Sequence, residues 1–285
     1  MATGTRAVTA VPIEVPPLGP GDPPIALLLD YDGTIALTDV ADTVMAEFVT
    51  GEWETEAALY DAGLVGSRRL MQLEMELLRG EPGALMAFAL AQPHDPMFVP
   101  LVNRARAARV PVEIVSDGFG FYIQPALERL GAPWVPVATA ATTFSDGRAS
   151  IDFPNGHPRC FVCGTCKRER VLEHRAAGRL VVFVGDGESD RYAAGYADVV
   201  FAKRALIKIC VERGWPFHRW AELREVDQWL SETLERWARD GSLPPSIDRP
   251  FSCGPEVWGD GRWDPPRDGR DRGPHRPGDR APLSG

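Results

Sequence analysis

The strongest constraint in this sequence is an alternation. Short, largely apolar runs recur through the middle of the chain, and the longer ones give way to a polar residue or to Gly-Asp. Residues 25–29 (IALLL) run into Asp30, residues 110–115 into Ser116, and residues 180–184 into Gly185-Asp186; shorter runs lie at 134–137 and 199–202. Apolar runs of this length read as strands buried on both faces. Helical patterns lie between them at 121–130, 168–177 and 189–196. Strand and helix in alternation imply an α/β fold, a parallel sheet with helices on both faces. Ligands of such sheets bind beyond the carboxyl ends of the strands. Asp30, Ser116 and Asp186 are therefore expected to face one crevice.

One stretch breaks the alternation. From 38 to 92 the pattern is helical throughout, and residues 67–79 carry apolar side chains at 70, 71, 73, 75, 77 and 78, dense enough for a buried helix. The stretch is too long for a simple crossover and reads as a small α-helical cap over the strand-end crevice. The core is then 25–37 with 93–240. Residues 1–24 read as a flexible leader, and the Pro-, Gly- and Arg-rich residues 241–285 as a disordered tail.

Composition narrows the function. The formal net charge is −9, which argues against nucleic-acid binding; an acidic chain that binds an anion must build a local positive site. No apolar run approaches the roughly 18 residues needed to span a bilayer, and residues 1–24 lack the pattern of a secretory signal. The five cysteines are odd in number and three are bunched, which points to a reducing, cytoplasmic compartment. Only three lysines stand among 31 cationic residues, at 167, 203 and 208. A lysine kept in so arginine-rich a chain suggests a task that arginine cannot do.

Four local patterns carry chemistry. Asp30-Tyr-Asp32-Gly33-Thr34 places two carboxylates at i and i+2 past a strand, where Gly33 permits the turn that brings both to one pocket. One carboxylate suits a nucleophile and the other a general acid/base. Ser116-Asp117-Gly118 offers a hydroxyl and backbone N–H groups to a phosphate oxygen. Lys167 opens a helix and is a compact charge suited to phosphate. Gly185-Asp186-Gly187-Glu188-Ser189-Asp190 supplies hard oxygen ligands of the kind Mg²⁺ takes. Each pattern alone is an ordinary turn or a solvated charge; the four in this order are far more specific.

In these four motifs, over residues 25–232, the chain resembles the haloacid dehalogenase superfamily of aspartate-nucleophile phosphatases, which implies a Rossmann-like parallel sheet with an inserted helical cap. The resemblance implies Asp30 as the nucleophile and Asp32 as general acid/base. Thr34, Ser116, Asp117, Gly118 and Lys167 would hold the phosphoryl group. Mg²⁺ would be held by Asp30, the backbone carbonyl of Asp32 and Asp186, with Asp190 as an outer ligand. Asp32 also argues against haloalkanoate dehalogenation, which does not use a second aspartate in this role. The helical insertion resembles the phosphoserine-phosphatase-like branch. Within it, residues 30–48, 163–171 and 185–217 look closest to phosphatases of a methionine-salvage enol phosphate. Phosphoserine, phosphocholine and phosphoethanolamine phosphatases are the near alternatives. Asp39 falls where phosphoserine phosphatases carry a substrate-binding glutamate; it is equally placed to cap the first cap helix, with Thr38 as competitor.

His157, Cys160, Cys163 and Cys166 form H-x₂-C-x₂-C-x₂-C. Such ligands can take Zn²⁺, but structural zinc sites usually pair two separated clusters, so free thiols shaping the loop before Lys167 are the preferred reading. The expected partner is a small phosphomonoester. Rival readings are a phosphotransferase of the same fold, or a non-catalytic metal-binding interaction protein; the complete set Asp30, Asp32, Ser116, Lys167 and Asp186 speaks against the latter.

Overall fold

The computed structural model describes residues 13–49, 53–145, 147–158, 160–247 and 253. Seven strands form one sheet: β1 (Ile25–Leu29), β2 (Val112–Phe119), β3 (Val137–Ser145), β4 (Arg148–Asp152), β5 (Leu180–Gly185), β6 (Val199–Ala202) and β7 (His218–Arg219), in the order β4-β3-β2-β1-β5-β6-β7. Every pairing is parallel except β3 with β4. β1 is central, and all five of its residues are buried. Ile25, Leu27 and Leu29 enter the core on one face of the sheet, Ala26 and Leu28 the core on the other. β5 divides in the same way, with Leu180, Val182 and Val184 opposite Val181 and Phe183. Two apolar faces are why these strands read as unbroken runs. Each fully buried Leu, Ile or Phe contributes about 1.5–3 kcal/mol.

Four helices lie between β1 and β2: α1 (Val40–Phe48), α2 (Trp53–Asp61), α3 (Ser67–Leu77) and α4 (Pro82–Leu90). An isolated antiparallel bridge joins Ala36 to His94 at the base of this insertion, and the Tyr31 hydroxyl meets His94 Nε2 at 2.8 Å. α5 (Phe98–Ala107), α6 (Gly120–Leu130) and α10 (Leu223–Asp240) cover one face of the sheet; α7 (Lys167–Ala176), α8 (Arg191–Ala194) and α9 (Arg204–Glu212) cover the other. Arg104 of α5 grips Asp227 of α10 with two hydrogen bonds, at 2.7 and 3.1 Å. On the opposite face Glu113 of β2 is buried and takes both Arg170 and His174 of α7 as partners. Among the described residues no helix is long and apolar enough to cross a membrane.

Several expectations need correction. The third strand is Val137–Ser145, not 134–137, because Pro133 and Pro136 hold the preceding residues out of the ladder. The helix expected at 189–196 shrinks to Arg191–Ala194. Residues 13–24, expected in a flexible leader, lie against the core: Ile13 packs on it, Asp22 pairs with Arg109, and the Pro16 carbonyl accepts from Arg179. Residues 1–12 lie outside the described residues. Of the expected disordered tail, residues 241–247 and Cys253 are described. Ser246 bonds Asp198, and the Cys253 N–H donates to the Tyr196 hydroxyl at 3.0 Å. The rest of that segment lies outside the described residues.

Candidate active site

The crevice opens where β1 and β5 end side by side. Chain order reverses here, since β2 lies on one side of β1 and β5 on the other, and this is where open α/β sheets bind ligands. Asp30 directly follows β1, and its N–H donates to the Val184 carbonyl of β5. Lys167, at the start of α7, reaches the same point and is 1% exposed. Its Nζ lies 3.0 Å from Asp30 Oδ1 and 2.7 Å from Asp190 Oδ1. The other oxygen of Asp190 accepts the N–H groups of Asp186 and Gly187, at 2.7 and 2.9 Å, which fixes the loop after β5.

Asp32 faces the helical insertion. Its carboxylate accepts the Val40 N–H at the start of α1 (3.0 Å) and the Tyr122 hydroxyl of α6 (2.9 Å). The turn just after the two aspartates depends on Gly33, whose φ is +67° and where a Cβ would sit 2.2 Å from Asp186 Oδ2. Gly118 is equally constrained, since a Cβ there would meet Asp32 Oδ2 at 2.2 Å. β2 carries an irregularity between Val115 and Phe119, so Ser116, Asp117 and Gly118 leave the regular ladder at its carboxyl end. Ser116 Oγ accepts the Gly118 N–H at 3.0 Å. Thr165 ties this turn to the loop before Lys167: its hydroxyl donates to the Ser116 carbonyl (2.9 Å) and its N–H to Asp117 Oδ1 (2.6 Å).

A cavity of about 230 Å³ joins this sheet edge to the insertion, with Asp30, Asp32, Ser116, Asp117, Gly118 and Asp186 on the sheet side. Asp39, Asp42, Tyr60 and Glu74 belong to the opposite wall. Asp39 is the N-cap of α1, one oxygen accepting the Asp42 N–H at 2.9 Å. It is thus both a cap and a cavity residue. On α3, Ser67, Leu70, Met71 and Glu74 form one stripe toward the cavity.

Glu74 is 3% exposed. Burial first, then Asp42 and Asp39, push its pKa up to about 8. The folded protein therefore holds the Glu74 proton more tightly than the unfolded chain does. The cost of ionising it is absent below the ordinary carboxylate range and grows until pH passes about 8. Glu74→Gln is expected to leave stability at pH 5 near that of the wild type and to exceed it by about 2–4 kcal/mol at pH 8.5. Urea unfolding at the two pH values measures this, and equal curves for both proteins at pH 8.5 would refute it.

The structure brings Asp30, Asp32, Ser116, Asp117, Gly118 and Asp186 together around one cavity, with Lys167 and Asp190 packed against Asp30. One expected role shifts. Thr34 is fully buried and does not line the cavity; its hydroxyl donates to Asp186 Oδ1 at 3.3 Å. Asp190 keeps its place beside the expected metal residues, with its oxygens also engaged by Lys167 and the loop backbone. His157, Cys160, Cys163 and Cys166 do not converge: among the described residues, the group close enough to share an ion is Asp30, Asp186 and Asp190. Burial raises the thiol pKa of Cys160, Cys163 and Cys166, the last to about 12. The sequence reading missed Arg204, which pairs with Asp186 Oδ2 at 3.1 Å and donates to the Leu37 carbonyl. It opens α9 two residues past the end of β6, and that position close to a strand end was the available signal. Tyr122, Thr165, Tyr60 and Glu74 carried no comparable mark.

The charge balance is severe. Burial and then Asp190 hold the Asp30 carboxyl well above its ordinary range, against the opposing pull of Lys167. Burial, Asp39 and Asp30 raise Asp32 likewise. Asp186 rises to about 6 through burial and Asp190, with Arg204 opposing. Asp30, Asp186 and Asp190 each offer a carboxylate oxygen, all within 4.8 Å of one another, a donor set that fits a hard divalent cation.

The chain is 28% identical over 218 residues to a 2-hydroxy-3-keto-5-methylthiopentenyl-1-phosphate phosphatase of Brevibacillus brevis, covering 74% of this chain and 97% of that one. It is 28% identical to a bifunctional enzyme MtnB/MtnX of Bacillus licheniformis, of which it spans only half. Among solved structures, a substrate-bound phosphoserine phosphatase complex superposes with a TM-score of 0.57 at 18% identity, covering 72% of this chain and 98% of that one. A phospho-aspartyl intermediate analogue of phosphoserine phosphatase gives 0.56 at 17%, with the same coverage; both likenesses concern the fold. The model of the haloacid dehalogenase-like hydrolases matches residues 27–195, more than half of the sequence, and the chain belongs to that family.

Proposed function

We propose that this protein is a cytoplasmic phosphomonoester hydrolase that works through a phosphorylated Asp30. The observation that carries the reading is the ion pair of the buried Lys167 with Asp30, whose carboxylate lines one cavity together with Asp32 and Ser116. Phosphoryl transfer asks chiefly for positioning and for neutralisation of the phosphoryl oxygens. Lys167 and the Ser116 hydroxyl meet those oxygens, while an Asp30 oxygen attacks phosphorus in line with the ester oxygen. Asp32, whose proton affinity burial and then Asp39 and Asp30 raise, gives a proton to the departing alkoxide as the P–O bond breaks. Now ionised, it takes a proton from the water that attacks phosphorus of the aspartyl phosphate, and inorganic phosphate leaves. Tyr122 and the Val40 N–H keep Asp32 aimed at the leaving group. Mg²⁺, held by the Asp30 and Asp186 carboxylates and the Asp32 carbonyl, would offset the charge of nucleophile and phosphate. The substrate is a small metabolite; the Brevibacillus relative's name makes the methionine-salvage enol phosphate the first compound to try.

Phosphate release from an aryl phosphate, phosphoserine and the enol phosphate is expected with Mg²⁺ and to fall at least about 10³-fold with EDTA. Release that EDTA leaves unchanged would remove the metal from the reading. Transfer of phosphate to an added alcohol in preference to water would favour the phosphotransferase.

A further inference from the structure

Among the described residues Arg204 is the one lysine or arginine that lines the cavity, and its backbone is strained. Its φ is +47°, in the left-handed region that a residue with a Cβ rarely adopts. Such strain persists only where the surroundings over-determine it, and it gathers at functional sites. The guanidinium supplies that hold through two bonds. Nη1 donates to Asp186 Oδ2 at 3.1 Å and Nη2 to the Leu37 carbonyl at 3.0 Å. One planar fork thus ties the loop after β5 to the loop after Asp32. The fork has room because residue 33 is glycine: a Cβ there would meet Arg204 Nη1 at 2.7 Å. Lys203 is committed elsewhere, its ammonium 3.8 Å from the centroid of the Trp220 ring.

Asp186 is one of three carboxylates that can share a cation. Free to turn about its Cβ–Cγ bond, it would face that cation only part of the time. Thr34 donates to Oδ1 at 3.3 Å and Arg204 to Oδ2, so both oxygens are fixed in direction. A carboxylate oxygen that accepts one hydrogen bond keeps a further lone pair for a metal. A guanidinium that merely stood in for the metal would have to swing away when the metal arrives. Arg204 is anchored at its other end by the Leu37 carbonyl, so it stays and orients the carboxylate.

We propose that Arg204 is a positioning residue for the metal: it aims the Asp186 carboxylate at the cation shared with Asp30 and thereby sets the affinity for Mg²⁺. This rests on the metal-assisted reading of the site and adds a residue that none of the four motifs contains. Arginine suits the task because its fork serves two acceptors at once. Outer partners of metal-ligating side chains are worth about 10–100-fold in metal affinity.

The test reads Mn²⁺ binding by electron paramagnetic resonance on the full-length protein without substrate. Mn²⁺ takes octahedral oxygen sites as Mg²⁺ does, and Mg²⁺ should displace it. Asp186→Asn is the reference and should lose most of the binding. Arg204→Met removes the fork, and Arg204→Gly removes the fork and the backbone strain together; each should raise the Kd for Mn²⁺ by about 10–100-fold. Agreement between the two rules out backbone strain as the cause, and thermal melting in EDTA checks that each is folded. Arg204→Lys, a point charge that cannot hold Asp186 and Leu37 together, should recover part of the loss. The Mg²⁺ concentration for half-maximal phosphate release should rise by the same factor as the Kd. If Asp186→Asn fails to bind while Arg204→Met and Arg204→Gly keep the wild-type Kd, the assignment is overturned. Tighter binding in either, the mark of a competing counter-ion, overturns it too. A wild type that binds no Mn²⁺, or an Asp186→Asn protein that binds as the wild type does, would bring down the metal reading and the role of Arg204 with it.

Discussion

Asp30→Asn is expected to abolish phosphate release, lowering kcat by about 10⁴-fold or more, while the protein stays folded. The size follows from the role: a carboxylate that forms a covalent intermediate has no substitute, and an amide in its place can neither attack phosphorus nor offer an anionic ligand. The retained fold follows from the electrostatics. Asp30 is buried beside Asp186 and Asp190, which hold its carboxyl well above the ordinary range together with the burial itself. Removing one of three crowded charges relieves repulsion, and Lys167 keeps Asp190 at 2.7 Å. Thermal melting without added metal should therefore show Asp30→Asn at least as stable as the wild type. Acid quenching of the wild type during turnover, followed by peptide mass analysis, should find the phosphoryl group on Asp30. Phosphate on another residue, or an Asp30→Asn protein that turns over within tenfold of the wild type, would dismiss the nucleophile assignment.

Lys167→Met should behave in the opposite way, losing stability and activity together. Lys167 is the buried cation shared by Asp30 and Asp190, and Asp117 also raises its proton affinity. Methionine nearly matches its volume but leaves those carboxylates uncompensated. Removing one partner of a buried ion pair costs about 3–5 kcal/mol, and loss of a preorganised positive group at the transferring phosphoryl costs about 10²–10³ in rate. Mg²⁺ should restore part of the melting temperature, because a cation bound only by the folded state stabilises it, and should restore little of the rate. Lys167→Arg should rescue poorly, since a planar fork does not fit where a point charge is enclosed by two carboxylates. A Lys167→Met protein with wild-type melting behaviour in EDTA would mean that the pairing with Asp30 and Asp190 has no energetic weight.

Most of the sheet side of the site could be read from the chain. Asp30, Ser116 and Asp186 each follow an apolar run, and a parallel sheet must bring the carboxyl ends of its strands to one edge. Lys167 was legible for a compositional reason, as a rare lysine in an arginine-rich chain. The central strands β1, β5 and β6 were legible because burial on both faces leaves no polar residue to blur the run. β3 was misplaced because its burial alternates along the strand, and a half-buried strand can be mistaken for a loop when prolines stand beside it. β4 and β7 escaped because short strands at or near the rim of a sheet carry little apolar signal.

What the sequence by itself determined is the chemistry and the order of its carriers: two aspartates after one strand, a serine after another, a lone lysine and an acidic loop. What only the tertiary structure decided is who faces whom. Thr34 turns to Asp186, Lys167 sits between Asp30 and Asp190, Tyr122 reaches Asp32 across 90 residues, and Glu74 is revealed as a buried acid on the wall opposite the strand-end carboxylates. Each depends on contacts between distant segments. Side-chain type and local spacing set what a residue can do, but whether its partner is a neighbour, a substrate or solvent depends on packing between α3, α6 and the sheet, and no local pattern encodes that distance.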